Sequence, residues 1–267
     1  MPKINFTYTQ AKADSSLYGP GFVFNAISRD EFASFTPAVL GLGDVSRCGS
    51  QVQSLAVFLD LEGFTDFCYQ VDSQLVIPEF LSRYFDWLFR TLSEQFREGA
   101  ADGMVRIWGS LPFYAKFLGD GLLFLWDTDR NPGLSGTVNI ARNLLDVTQR
   151  YETHFVQDIR RAVSKPPLRL RCGMARGQIV AIGGGADYVG PCINVASRLQ
   201  KLASLSFAVS ARGFDLSRAP DGEGSLRSFL VLKEISLRGV GDQELVYIRK
   251  DEFEALQPEK RAEFRDP

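Results

Sequence analysis

Histidine is nearly missing: the 267 residues contain one, His154. A Ser-His-Asp or Cys-His nucleophilic mechanism has little to work with, and His154 lies in a charged amphipathic stretch where a helix-surface position is expected. Cysteine is sparse as well. Cys48, Cys68, Cys172 and Cys192 show no CxxC spacing and sit in otherwise apolar patterns, which favours buried free thiols over disulfides or zinc. The net charge is only −2, from 30 basic and 32 acidic residues, so the chain as a whole has no attraction for nucleic acid or an anionic membrane. No apolar run approaches the roughly 20 residues that span a bilayer. Met1-Pro2-Lys3-Ile4-Asn5 does not open a secretory signal, which leaves a cytoplasmic protein as the expectation. Nothing repeats at a fixed period, which excludes solenoids and propellers.

What is present is a large apolar content, 45% of residues, enough for one sizeable core. Residues 1 to about 50 are rich in Gly, Pro, Ser and aromatics without helical periodicity, and read as an extension. From Leu55 the pattern becomes regular. It predicts a strand over Leu55 to Leu59, then a long helix from about Phe64 to Arg97, interrupted near Pro78, with Phe80, Leu81, Tyr84, Phe85, Leu88, Phe89 and Leu92 as its apolar stripe. A 14-residue loop from Glu98 to Leu111 leads to a hairpin: Phe113 to Leu118, the turn Gly119-Asp120-Gly121, then Leu122 to Trp126. A second helix is expected over Ser135 to Val163, ended by Pro166-Pro167. Strands at Leu168 to Ala175 and Ile179 to Ile182, a turn at Gly183-Gly184-Gly185, a helix over Cys192 to Ala203 and a strand at Phe207 to Ser210 follow. Ser228 to Glu234 and Glu244 to Ile248 close the list of strands. Strand, helix, hairpin, helix, strand is an α+β, ferredoxin-like arrangement: an antiparallel sheet with helices packed on it.

Two apolar strands end in aspartates, Phe58-Leu59-Asp60-Leu61-Glu62-Gly63-Phe64-Thr65 and Lys116-Phe117-Leu118-Gly119-Asp120-Gly121. If the strands pair, Asp60 and Asp120 converge at one sheet edge, where hard oxygen ligands suit Mg²⁺ or Mn²⁺. Backbone N–H groups of Gly63, Phe64 and Thr65 then open a helix and can face a phosphate. Farther along, Asn194 and Arg198 are i and i+4 on one helix face. Asparagine can hold a ribose oxygen; arginine, permanently charged and forked, suits a phosphorus on which charge develops.

Taken in order, Phe58-x-Asp60-x-x-Gly63-Phe64-Thr65, Lys116-Phe117-Leu118-Gly119-Asp120-Gly121, Asp187-Tyr188-Val189-Gly190 and Asn194-Val195-Ala196-Ser197-Arg198 resemble class III nucleotidyl cyclases. The resemblance covers about Leu55 to Ile248. It implies an N-terminal extension over 1–50, a cyclase catalytic domain over 51–250 and a tail over 251–267. It further implies that Asp60 and Asp120 bind two metal ions, Mn²⁺ or Mg²⁺, with the Leu61 carbonyl completing one shell. Asn194 would orient the ribose and Arg198 stabilise the transition state. Arg238, in Leu237-Arg238-Gly239, matches the neighbourhood of the family's triphosphate-binding lysine. Because the family builds each site across two chains, a homodimer with two equivalent sites is implied.

The base is less determined. Lys116 and Asp187 occupy positions that read adenine in adenylyl cyclases, a donor and an acceptor matched to an acceptor nitrogen and an amino group. On that motif alone the substrate is ATP. The Glu98–Leu111 loop, the Asp187-Tyr188-Val189-Gly190-Pro191-Cys192-Ile193-Asn194 run and the small stand-alone architecture are instead similar to the pyrimidine cyclases of Pycsar antiphage systems. That resemblance implies UTP or CTP, a cyclic pyrimidine signal made on phage infection, and an effector protein that reads it. Phe58, Phe113 or Tyr114 would fill the volume of the missing imidazole ring, with strand packing as their ordinary role. Lysine facing uracil carbonyls favours UTP; Asp187 facing an amino group favours CTP. The non-enzymatic alternative is a degenerate cyclase-fold domain that binds nucleotide without chemistry. A diguanylate cyclase or polymerase palm lacks its Gly-Gly-Asp/Glu-Glu-Phe signature here.

Overall fold

The computed structural model describes residues 6–12, 23–36, 49–101, 103–129, 134–214, 216 and 225–267. The chain divides into two compact units, one of Val52–Ile179 with Gly190–Pro267, the other of Met1–Gln51 with Val180–Val189. The second unit contains an antiparallel pair, β1 (Thr9–Lys12) with β2 (Val23–Ala26), and the short helix α1 (Arg29–Ala33), capped by the Ser28 hydroxyl.

The larger unit begins with β3 (Gln51–Glu62), α2 (Phe64–Cys68) and α3 (Ser73–Phe96). The expected long helix is therefore broken at residues 69–72, and Pro78 lies inside α3. The break falls where Asp72 takes a left-handed conformation, φ 60°. Pro78 is in the second turn, where its missing N–H forfeits one backbone bond and the helix continues. β4 (Arg97–Ala101) and β5 (Met104–Ile107) form an antiparallel hairpin within the stretch expected to be a loop. Gly103, at φ 72°, precedes β5, whose Val105 and Ile107 are β-formers, whereas Arg97-Glu98-Gly99-Ala100-Ala101 of β4 are not.

The hairpin β6 (Tyr114–Phe117) and β7 (Gly121–Asp127) is formed as expected. Next come α4 (Leu134–Arg150), one π-helical turn (Tyr151–Phe155) and α5 (Val156–Ile159), so the second helix runs four residues short of Val163. β8 (Arg169–Ile182) is one continuous strand where two were expected, and its last three residues pair with β9 (Asp187–Val189). Then follow α6 (Pro191–Leu199), β10 (Phe207–Ser210), α7 (Leu226–Phe229), β11 (Leu230–Leu237), β12 (Gly241–Arg249), α8 (Lys250–Ala255) and α9 (Pro258–Arg261). Residues 251–267 are fixed to the sheet by a Glu234–Arg265 bridge.

Along the main sheet the order is β11-β12-β10-β8-β3-β7-β6. The sheet is mixed, not wholly antiparallel, because β10 runs parallel to β8. A parallel pair needs a crossover, and α6 supplies it. Strand alternation then fixes two faces. Leu55, Val57, Leu59 and Leu61 of β3, with Leu170, Cys172 and Met174 of β8, join the core formed with α3 and α4. Phe80, Tyr84, Trp87, Tyr151 and Phe155 form its aromatic centre. Ala56, Phe58, Asp60, Arg171 and Gly173 lie on the other face.

Gly173 and Gly177 explain why β8 is unbroken and why α6 lies on that face. A Cβ at Gly173 would sit 2.2 Å from the Ala196 carbonyl oxygen, and one at Gly177 would sit 3.1 Å from Cys192 Cβ. These glycines mark the close approach of a helix, not a turn.

Candidate active site

In the β3–β7 ladder Asp60 is the partner of Gly121, and the Leu61 N–H donates to the Asp120 carbonyl at 3.0 Å. The pairing expected from the sequence thus brings the two aspartates to neighbouring positions at one strand end. Asp60 is buried and Asp120 is half-buried. Burial pushes the Asp60 carboxyl above its ordinary value, the Arg171 bond and charge oppose the rise, and the Asp120 charge adds to it. Among the described residues there is no group of three or more His, Cys, Asp and Glu side chains able to cage a metal. Two carboxylates and the backbone carbonyl of Leu61 are instead the sparse oxygen set that Mg²⁺ or Mn²⁺ takes when substrate phosphates supply further ligands. The donor chemistry fits the expected ions.

The residue that the sequence reading missed is Arg171. Its Nε lies 3.1 Å from Asp60 Oδ2, and its Nη2 also donates to that oxygen. The Arg171 side chain is 17% exposed and that of Asp60 5%. The signal was available in the alternation Leu168-Arg169-Leu170-Arg171-Cys172, which puts two arginines on the face opposite the core. An arginine enclosed in a central strand needs a partner. Arg169 finds its own in Glu152 at 3.2 Å and the Ser204 carbonyl at 2.6 Å.

Registers place the residues considered for the base. Phe58, Leu123 and Lys116 form one row across β3, β7 and β6, and Ala56, Leu125 and Tyr114 form the next. Phe58, Lys116 and Tyr114 therefore share the face that carries Asp60. Phe113 precedes β6, donates its N–H to the Leu125 carbonyl at 2.9 Å and is exposed over 43% of its surface. Gly63 caps α2 at φ 82°, but that helix has only five residues. The Phe64 ring packs on Phe67 and Phe80, so of Gly63, Phe64 and Thr65 it is the backbone that could meet a ligand.

On α6, Cys192, Val195, Ala196 and Leu199 are buried, while Asn194 and Arg198 are exposed. A cavity of about 430 Å³ is lined by Asn194, Ser197, Arg198, Lys201, Leu237 and Arg238. The Arg198 guanidinium lies over the β11–β12 turn, where a Cβ on Gly239 would come within 3.2 Å of Nη2. Arg238 thus joins Asn194 and Arg198, and Lys201 is added to them. Neither aspartate lines this cavity. Asp187 opens β9 in the other unit, its Oδ1 accepting from the Tyr188 N–H at 2.9 Å.

No protein-family model and no curated protein matches the sequence. Solved structures do match. The adenylyl cyclase CyaB from P. aeruginosa aligns over 75% of this chain and 94% of its own, at 15% identity and a TM-score of 0.54. The guanylyl cyclase Cya2 aligns over 76% of this chain and 94% of its own, at 16% identity and a TM-score of 0.55. The fold is that of a class III cyclase catalytic domain. Within this cyclase fold the other polar groups divide cleanly. His154 is exposed, with Nδ1 2.7 Å from Thr153 Oγ1, as its sequence context predicts. Cys172 and Cys192 are buried free thiols, Cys68 is half-buried rather than buried, and Cys48 lies outside the described residues. No described helix is long and apolar enough to cross a membrane.

Proposed function

We propose that this protein is a nucleotidyl cyclase that converts UTP to 3′,5′-cyclic UMP and pyrophosphate, with two sites shared across a homodimer. The observation that carries the reading is the division of one polar constellation into two halves. The aspartates are paired across the β3–β7 ladder, while Asn194, Arg198 and Arg238, together with Lys201, line a cavity whose lining includes neither aspartate; of that set only the Lys201 charge is felt at Asp60. In a two-fold dimer each half meets the other half from the partner.

Two Mg²⁺ or Mn²⁺ ions, held by Asp60, Asp120 and the Leu61 carbonyl, would make the 3′-hydroxyl more acidic and neutralise the triphosphate. Asn194 fixes the ribose so that O3′ faces the α-phosphorus. As O3′ bonds to phosphorus and loses its proton to solvent, the bond to the β-phosphate bridging oxygen breaks. Arg198 meets the charge that builds on the phosphoryl oxygens, and pyrophosphate leaves. Arg238 and the backbone N–H groups of Gly63, Phe64 and Thr65 hold the triphosphate.

For the base, the support is the row Phe58, Leu123 and Lys116 on the face that carries Asp60: Phe58 and Leu123 put apolar bulk between the metal aspartate's strand and the lysine, which suits a base smaller than a purine, and the lysine donates to a uracil carbonyl. Asp187 is the second base contact in this reading. The antiphage role and an effector that reads the product follow from the Pycsar resemblance alone. ATP is the second reading, favoured by the same Lys116 and Asp187, and the two structural neighbours above are an adenylyl and a guanylyl cyclase. Purified protein incubated with Mn²⁺ and each ribonucleoside triphosphate separately decides among these. Cyclic UMP as the main product is expected. Cyclic AMP alone overturns the base assignment, and no product from any nucleotide overturns the enzyme in favour of a binding domain.

A further inference from the structure

The Asp60–Arg171 pair has a consequence for metal binding. Both guanidinium donors fall on the same oxygen, Oδ2, of a carboxylate that is otherwise enclosed. A buried carboxylate without a counter-ion is costly, and here a second carboxylate, Asp120, is close enough for its charge to be felt at Asp60. Arg171 offsets both effects when no divalent ion is bound, with a smaller contribution from the Lys201 charge. A cation approaching Asp60 then meets an oxygen already engaged and a fixed positive charge beside it.

We propose that Arg171 is the built-in counter-ion of Asp60: it holds the carboxylate in place before metal arrives, and a metal ion entering at Asp60 must displace it. Arg171 is thus a positioning residue that weakens metal binding to the nucleotide-free protein. This inference rests on the assignment of Asp60 as a metal ligand, so its test measures metal binding directly.

The experiment titrates the full-length protein with Mn²⁺ alone, without nucleotide, and follows free Mn²⁺ by electron paramagnetic resonance and Tm in parallel. Removing the competing charge in Arg171→Gln is expected to tighten Mn²⁺ binding about ten-fold. The metal-free Tm falls, and Mn²⁺ raises it by more than in wild type. Arg171→Lys retains a charge but loses the fork, and an intermediate effect of about three-fold is expected. In an Asp60→Asn background the Arg171→Gln change has no further effect on Mn²⁺ affinity. A purely structural role would lower Tm in all variants without tightening Mn²⁺ binding. Unchanged or weaker Mn²⁺ affinity in every folded Arg171 variant, with binding still lost in Asp60→Asn, overturns the inference and leaves the cyclase reading standing. Mn²⁺ binding that is indifferent to Asp60→Asn overturns both.

Discussion

Asp60 and Asp120 reach the same end of the β3–β7 ladder by different means, one within β3 two residues before its end and the other on a glycine-flanked hairpin turn. Their separate removal by Asp60→Ala or Asp120→Ala is expected to lower turnover by at least about 10³-fold, read as cyclic nucleotide formed per unit time. Full turnover in either variant rejects the metal assignment. Arg198→Ala should cost about 10²–10³-fold in kcat with a smaller change in KM, because its partner charge develops in the transition state. Thiol chemistry separates the cysteines. Burial pushes the Cys192 thiol up to about 11 and raises Cys172 further, so both stay protonated and enclosed at pH 8. Alkylation of native protein at pH 8, mapped by mass spectrometry, should modify Cys68 well before Cys172 or Cys192. Equal rates contradict the burial described. The strand pairing that brings Asp60 beside the Asp120 turn, and the helix face shared by Asn194 and Arg198, were legible in the sequence from local spacing. The alternation around Arg171 shows which face it takes, but not its partner, and Lys201 has no comparable signal, because a cation's role depends on which carboxylate or cavity another element brings to it.

At the scale of elements, the placement of Asn194 and Arg198 depends on how closely α6 lies on β8. Gly173 permits that approach: an added Cβ would come 2.2 Å from the Ala196 carbonyl oxygen and 2.4 Å from the Gln200 nitrogen, both backbone atoms that cannot swing aside. Gly173→Ala is therefore expected to destabilise the protein by about 3 kcal/mol in urea unfolding. The displaced helix should also reduce kcat at temperatures where the variant remains folded. A neutral Gly173→Ala would show that the helix packs elsewhere. Gly177 falls in the expected gap between Leu168 to Ala175 and Ile179 to Ile182, since a glycine in a strand signals a turn or a close neighbour equally, and only the tertiary partner decides. The β6–β7 hairpin and the β10 strand were legible because apolar runs were bounded by turn residues. The β4–β5 hairpin was hidden because Arg97-Glu98-Gly99-Ala100-Ala101 has neither β-forming residues nor apolar alternation to mark its first strand.

For the whole molecule, one chain carries both sets of groups: Asn194, Arg198 and Arg238 line one cavity, and Asp60 and Asp120, outside that lining, meet at the end of the β3–β7 ladder. Light scattering at working concentration should report a dimer, and an active monomer would contradict the shared site. The direct test is complementation. Asp60→Ala and Arg198→Ala proteins, each inactive alone, are mixed under conditions that allow subunits to exchange, and cyclic nucleotide formation is measured. A mixed dimer has one site with both defects and one intact site, so random pairing predicts recovery of about a quarter of wild-type activity. No recovery despite proven exchange, or activity in either variant alone, would contradict the account.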